Sequence, residues 1–413
     1  MVRRFPDPVT MFARACGVLM LCAGLSAQAQ TTINVNTAAA LQSAVETANS
    51  AGGNRIISVA DGTYTLSDTL YVNAPNVSIV GASGNRDAVI IQGTGMSATA
   101  SVGTIIRVAA SGFQLRYVTL QKSKYHLVQI AGETNADGAS LRDCKLRDAY
   151  EQMVKVSNDP ANPSVTGDNG LVENCVFEYT AGIGPQYYIG GIDAHGSKGW
   201  VVRGNTFRDI AAPNTSVAEF AVHFWDGSSN TTVERNLIID CDRGIGFGLD
   251  GRGNDGGVIR NNMIYHSANG DPYADSAIAL VESPNTQVYN NTVFLQNSFP
   301  WAIEYRFATT TGVQFSNNLT NLPIQARDGA AGTLANNVTN AVASWFVSPS
   351  SGNLHLASAV SSVVDKGKTI SGLTNDIDGD ARPAGAGIDV GADEFGGAAA
   401  PPKPNPPTDV RAQ

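Results

Sequence analysis

The sequence is short of charge, of cysteine and of helical periodicity, and each shortage excludes something. Only 15% of the 413 residues are charged, low for a globular enzyme. Lys and Arg number 27 against 36 Asp and Glu, a net charge of −9. No basic surface for a nucleic-acid backbone or an anionic membrane follows from such a balance, so no nucleic-acid partner is expected. Of five cysteines, Cys16 and Cys22 fall in the first thirty residues. Cys144, Cys175 and Cys241 remain, an odd number that builds no disulfide framework and fits no zinc spacing. They read as small buried apolar residues, with a Cys144–Cys175 bond as the lesser alternative. Beyond residue 29 no run is apolar enough to span a bilayer. What is abundant instead is Gly, at 43 residues, with Asn, Thr and Ser. At 43% apolar residues the chain is not disordered, and this mix suits short strands and tight turns.

The N-terminus has a logic of its own. Arg3, Arg4 and Arg14 precede an apolar run from Ala15 to Leu25, followed by Ala27-Gln28-Ala29. Basic residues, apolar core and small-x-small end make a secretory signal peptide, residues 1–29, cut after Ala29. A secreted or periplasmic bacterial protein is expected.

A repeat organises most of the remainder. LRDCKLRDA, LVENCVFEY, VVRGNTFRD, TVERNLIID, VIRNNMIYH, VYNNTVFLQ, FSNNLTN and LANNVTN align on Cys144, Cys175, Asn205, Asn236, Asn262, Asn291, Asn318 and Asn337. An earlier copy, LRYVTLQKS, puts Val118 in the same column. Periods of 20–50 residues mark solenoids. Each unit alternates in short stretches split by Gly, Asn and Asp, with no helix-length period inside it, so the repeat is a β-solenoid coil. In such a coil equivalent residues stack about 4.8 Å apart. A lone inward Asn is costly there, whereas a ladder of them satisfies every member.

This pattern resembles the right-handed parallel β-helix proteins of the pectate-lyase-like superfamily, over roughly residues 32 to 340. The resemblance implies an all-β fold. Residues 30–345 would form the β-helix, begun by a cap helix at Ala38 to Ala51 that covers the first coil's open edge. LHLASAVSSVVDKG and NDIDGDARPAGAGIDVGADEF resemble the C-terminal segment of secreted bacterial β-helix proteins, and residues 346–396 are expected to cap the other end. Residues 397–413 read as a Pro-rich linker whose PPTDVRAQ resembles the start of a fibronectin type III module. A monomer is expected.

A β-helix has no central pocket, so chemistry must lie on an outer sheet face. The strand after each Asn position runs LVQIAG, MVKVSN, GIDAHG, AVHFWDG, GIGFGLD, AIALVE and AIEYRF. Alternation turns one column outward: Gln129, Lys155, Asp193, His223, Gly246, Ala279 and Glu304. Two residues on runs a second: Ala131, Ser157, His195, Trp225, Gly248, Val281 and Arg306. The residues between are mostly apolar and face the core. Two of only five histidines, His195 and His223, thus share a face with Lys155, Asp193, Trp225, Glu304 and Arg306, and clustered ionisable groups mark sites. Insertions at 158–169, 181–190, 211–218 and 267–275 would wall a groove, where Tyr187, Tyr188, Trp225 and Tyr273 could stack on sugars.

The superfamily's common reaction implies cleavage of a uronic-acid polysaccharide by β-elimination. That step needs a cation for the carboxylate, a base for the C5 proton and stabilisation of the enolate. Lys155 resembles in placement the lysine base of chondroitinase-B-like and alginate lyases. Their acid is Arg; here the next coil offers Asp193 and His195. The assignment is Lys155 or His223 as base, His195 assisting, and Asp193 orienting a histidine or binding Ca²⁺. Arg243 or Arg306 would hold a substrate carboxylate, with Glu304, Trp225, Tyr187 and Tyr188 lining the site. Asp193, Asp226 and Asp242 are the calcium candidates, and Asp376-x-Asp378-Gly379-Asp380 reads as a cap turn before a calcium loop. The alternatives are a β-helix glycoside hydrolase, for which Asp193 and Glu304 are the best acidic pair, a C5-epimerase, and a glycan-binding or adhesive β-helix without catalysis.

Overall fold

A computed structural model describes residues 30–213, 216–268 and 274–397. The expected signal peptide and the fibronectin-like start lie outside the described residues, as does Tyr273. The chain winds as a parallel β-helix whose three long sheets hold 12, 10 and 10 strands. Every pairing between successive coils is parallel, as in Leu171–Glu173 beside Val201–Arg203 and Val176–Glu178 beside Thr206–Arg208. The apolar positions of all three sheets meet in one core, with Val172, Phe177, Ile192, Val202, Phe207 and Val222 fully covered.

The Asn column forms as the stacking argument requires. Asn205 Nδ2 donates to Asn236 Oδ1 at 2.9 Å, and the contact repeats from Asn236 to Asn262, Asn262 to Asn291, Asn291 to Asn318 and Asn318 to Asn337. Each carboxamide oxygen also accepts the backbone N–H of the Asn one coil earlier. The residue before each column position takes a left-handed conformation: Asp143, Asn174, Gly204, Arg235, Asn261, Asn290, Asn317 and Asn336 all have φ between 49° and 65°. This explains the recurring Asn-Asn and Gly-Asn pairs. The first residue makes the sharp turn, for which Gly, Asn and Asp are suited, and the second stacks inward. Cys144 and Cys175 occupy the same column, buried and free; no disulfide joins them.

The N-terminal helix spans Ala38–Ser50, with Ala51 as its C-cap. Thr37 caps its start by accepting from the Ala40 N–H, one of the donors a helix leaves unpaired. Leu41, Ala44, Val45 and Ala48 form its buried stripe. Asn49 reaches the edge strand Leu70–Val72, donating to Tyr71 O at 2.7 Å and accepting from Asn73 N at 3.0 Å. One side chain so replaces bonds that a preceding strand would have made.

The C-terminal segment lies along the flank of the last coils. Leu354, Leu356, Val363, Val390 and Ala392 bury the outward side chains Met263, Tyr265, Phe294 and Leu319. Asn290 donates to Asp389 O and Gly391 O, and Asn317 pairs with the Lys368 backbone. Asp376 Oδ1 accepts three backbone N–H groups, from Asp378, Gly379 and Asp380, so this stretch is a turn built on one carboxylate.

Candidate functional site

The outward column of the third sheet runs in unbroken register through Gln129, Lys155, Asp193, His223, Gly246, Ala279 and Glu304. In the second column His195 lies beside Trp225 and Val281 beside Arg306. The residues between, Val154, Ile192, Val222, Ile245, Ile278 and Ile303 among them, are fully buried. Alternation therefore fixes which side chains rise from the sheet.

Four of them interlock. The Lys155 ammonium donates to Asp193 Oδ2 and, at 2.8 Å, to His195 Nε2. Asp193 Oδ1 accepts the Trp225 indole N–H at 2.6 Å. His195 Nε2 accepts from Lys155, so its proton sits on Nδ1, 3.6 Å from Asp226 Oδ2; Asp226 is held in turn by Asn158 at 3.1 Å. His223 Nε2 lies 3.1 Å from Gly248 O. A carbonyl only accepts, so this nitrogen carries the proton and Nδ1 the lone pair. Among the described residues that Nδ1 has no hydrogen-bond partner; Asp193 Oδ1 and Glu219 Oε2 lie 3.8 and 3.9 Å away.

Burial and charge then set protonation. Burial is the largest single influence on Asp193 and opposes its charge. The His195 contact, the Lys155 ammonium and the imidazoles together outweigh it and hold the carboxyl well below the usual carboxylate range. Burial pushes His223 down to about 4, and likewise His126, which donates to Gln152 O from the neighbouring edge. Both rings are therefore neutral near pH 7. Glu219 moves the other way: burial, and after it the Asp193 charge, raise its carboxyl.

Exposure separates working groups from supporting ones. The side chains of Lys155 and His195 are 11% and 15% exposed, that of His223 only 1%. His223 lies beneath the site, its ring parallel to Trp225 at 5.2 Å and against Phe220 at 4.8 Å. Gly246 makes room for that arrangement, because a Cβ there would come within 2.7 Å of the Phe220 ring. His223 is thus placed to support Asp193 and Trp225 and not to meet a substrate.

Other expected residues fall elsewhere. Trp225 is 9% exposed and hemmed in by His195, His223 and Arg252, so it is no open platform for a sugar. Tyr187 and Tyr188 are open, 60% and 40% exposed. Arg243 pairs with Asp275 and Arg306 with Asp328, while Glu304 is buried against Arg327. Three strands separate Glu304 from Asp193, a separation that the column order already implied and that leaves the two too far apart to act as a hydrolase's acidic pair. Asp242 is also displaced from its expected role. It is buried, and its Oδ2 accepts from the Ala212 and Ala218 N–H groups, tying those two residues together. With both Asp193 oxygens bonded as well, Asp193, Asp226 and Asp242 do not fit a calcium ion, which needs six or more oxygens. Among the described residues, the group of ligand-type side chains close enough for a metal is His355, Asp378 and Asp393, in the C-terminal segment.

Two residues were missed in the sequence. Glu219 precedes the His223 strand by one residue, and its N–H donates to Ile189 O, tying the 181–190 insertion to the site. Arg252 sits in a Gly-rich turn, its guanidinium 4.2 Å from the Trp225 ring centre. Neither lies in a repeated column; the i, i+4 spacing of Glu219 and His223 was the one signal available.

A family model for the right handed beta helix region matches residues 104–357. No curated protein matches the chain. Among solved structures, the pectate lyase Pel9A aligns over 89% of this chain and 97% of its own, at 14% identity and a TM-score of 0.50. An alginate lyase from Paenibacillus sp. str. FPU-7 aligns over 75% and 99%, at 16% identity and a TM-score of 0.40. A mannuronan C-5 epimerase module from Azotobacter vinelandii aligns over 74% and 94%, at 15% identity and a TM-score of 0.32. At these identities the likeness is one of fold.

Proposed function

The chain belongs to the right handed beta helix family, and on that frame we propose that it is a secreted enzyme cleaving a uronic-acid polysaccharide by β-elimination on the third sheet's outer face. The observation that carries this reading is the Lys155–Asp193–His195 contact, in which an ammonium and an imidazole are held together on the outer face of the sheet. An ammonium has three N–H donors, and Asp193 and His195 take two. The third is for the uronate carboxylate, where charge grows as the C5 proton leaves. Fixed charge aimed at such a developing enolate is the largest catalytic term.

As Lys155 turns to the substrate it releases the lone pair of His195 Nε2. His195 takes the C5 proton, and Asp226 stabilises the resulting imidazolium from the Nδ1 side. The electron pair of the C5–H bond forms the C4=C5 double bond, and the C4–O4 bond breaks. The departing oxygen takes its proton from Glu219, whose raised carboxyl suits a general acid. Asp193 orients Lys155 and fixes Trp225. No step passes through calcium.

The test is incubation with alginate, pectate, chondroitin, hyaluronan and glucuronan, followed by absorbance at about 235 nm, where the unsaturated product of the enolate pathway absorbs. A rise lost in Lys155→Ala and in His195→Ala supports a lyase. New reducing ends without absorbance would make the protein a hydrolase; retention on a polymer without turnover would make it a binding protein.

A further inference from the structure

Five Lys and Arg residues lie on the strands of the third sheet, and each is matched by a carboxylate: Arg107 by Glu133, Lys155 by Asp193, Arg243 by Asp275, Arg306 by Asp328 and Arg327 by Glu304. Arg252, in the turn beyond the strand Arg243–Phe247, is different. It is exposed, and among the described residues no carboxylate oxygen lies within ion-pair distance of it. Its position is nevertheless firm. Its backbone exchanges two hydrogen bonds with Leu249, at 2.8 and 2.9 Å, closing a tight turn through Gly251 at φ +73°. Its carbonyl accepts from the Asp226 N–H at 3.3 Å. Its guanidinium lies over Trp225, whose indole N–H is committed to Asp193. An arginine stacked on an aromatic face keeps its planar N–H fork available. Ordering it costs little on binding, because stacking has already restricted it.

We propose that Arg252 is a second carboxylate-binding residue on this face, beside Lys155, and forms a subsite that selects uronic acid over neutral sugar through a bidentate guanidinium–carboxylate pair. Trp225 serves as its platform and couples the occupied subsite to Asp193 and Lys155. Arg243 and Arg306 are not available for this task, since each already holds an aspartate. The proposal rests on an acidic polysaccharide being the ligand, though not on its cleavage.

Affinity electrophoresis through gels containing alginate, pectate, glucuronan, hyaluronan or chondroitin tests it, each polymer being run beside its carboxyl-reduced counterpart. Wild type, Arg252→Gln and Arg252→Lys are compared in a His195→Ala background, so that turnover does not destroy the matrix while Lys155 is kept. At least one acidic polymer is expected to retard the wild-type groove. Arg252→Gln should weaken that retardation at least tenfold, in line with the loss of a charge-assisted hydrogen-bond pair. Arg252→Lys should recover only part of it, because an ammonium has no fork. The carboxyl-reduced polymer should not distinguish the variants. Equal retardation of wild type and Arg252→Gln by the acidic polymer overturns the proposal. So does equal weakening on the reduced polymer, and so does retardation by none of the acidic polymers. Arg252-dependent retardation with no 235 nm product from the intact enzyme, on the order expected for elimination, would uphold the subsite and sink the lyase reading.

Discussion

At the scale of single residues, the site divides into groups that can meet a ligand and groups that hold those in place. Lys155→Ala should reduce turnover by about 10³-fold or more, since it removes the enolate's cation. Asp226→Asn should cost about tenfold and move the pH profile, because it weakens the support for a charged His195. His223 makes a separate prediction about stability. Its folded value of about 4 lies below the ordinary 6.5, so between these values the unfolded chain binds a proton that the native ring refuses. Stability is then fully present above pH 6.5 and is lost as pH falls toward 4. The upper bound is about 3 kcal/mol for this one residue. Urea midpoints above and below that window should differ less in His223→Gln than in the wild type; an unchanged difference would show that the ring is not buried neutral.

At the scale of elements, the ladder and the helix cap carry the clearest expectations. Asn262 donates to Val233 O and Asn291 Oδ1, and its own oxygen accepts from Asn236 twice. Asn262→Ala leaves several buried groups unpaired and should destabilise by about 3 kcal/mol or more. Asn337→Ala, at the ladder's last rung, should cost less, as calorimetry or denaturant titration would read. The ladder, the columns and the helix were legible beforehand because each follows a period: the coil length, alternation by two, and the apolar stripe of Leu41, Ala44, Val45 and Ala48. Glu219 and Arg252 were not legible for the converse reason. They sit in insertions whose paths have no period, and what matters about them is where a loop delivers a side chain. Arg243, Arg306 and Glu304 were legible as outward residues but not as paired ones, because their partners Asp275, Asp328 and Arg327 come from neighbouring coils or turns. Trp225 was placed correctly in its column, yet its ring is covered by residues reaching it from either side.

At the scale of the whole molecule, the C-terminal segment is a shield. It covers Met263, Tyr265, Phe294 and Leu319, an apolar strip that the solenoid alone would leave in water. A chain ending at residue 345 should therefore bind a hydrophobic dye and self-associate, visible in light scattering, while the Lys155–Asp193–His195 cluster remains formed. The site's donor set leads to a second expectation: EDTA should leave turnover on a polyuronate unchanged, measured beside a calcium-loaded control.

The Asn ladder also gives the molecule a mechanical grain. Its rungs are 26 to 31 residues apart through most of its length, and each rung is held to the next by one carboxamide. Pulled from its two ends, the solenoid has no reason to rupture all at once. It should peel coil by coil, each event releasing roughly 90–110 Å of chain at the extended length per residue. A force–extension trace would then be a staircase, and Asn262→Ala would merge two of its steps into one.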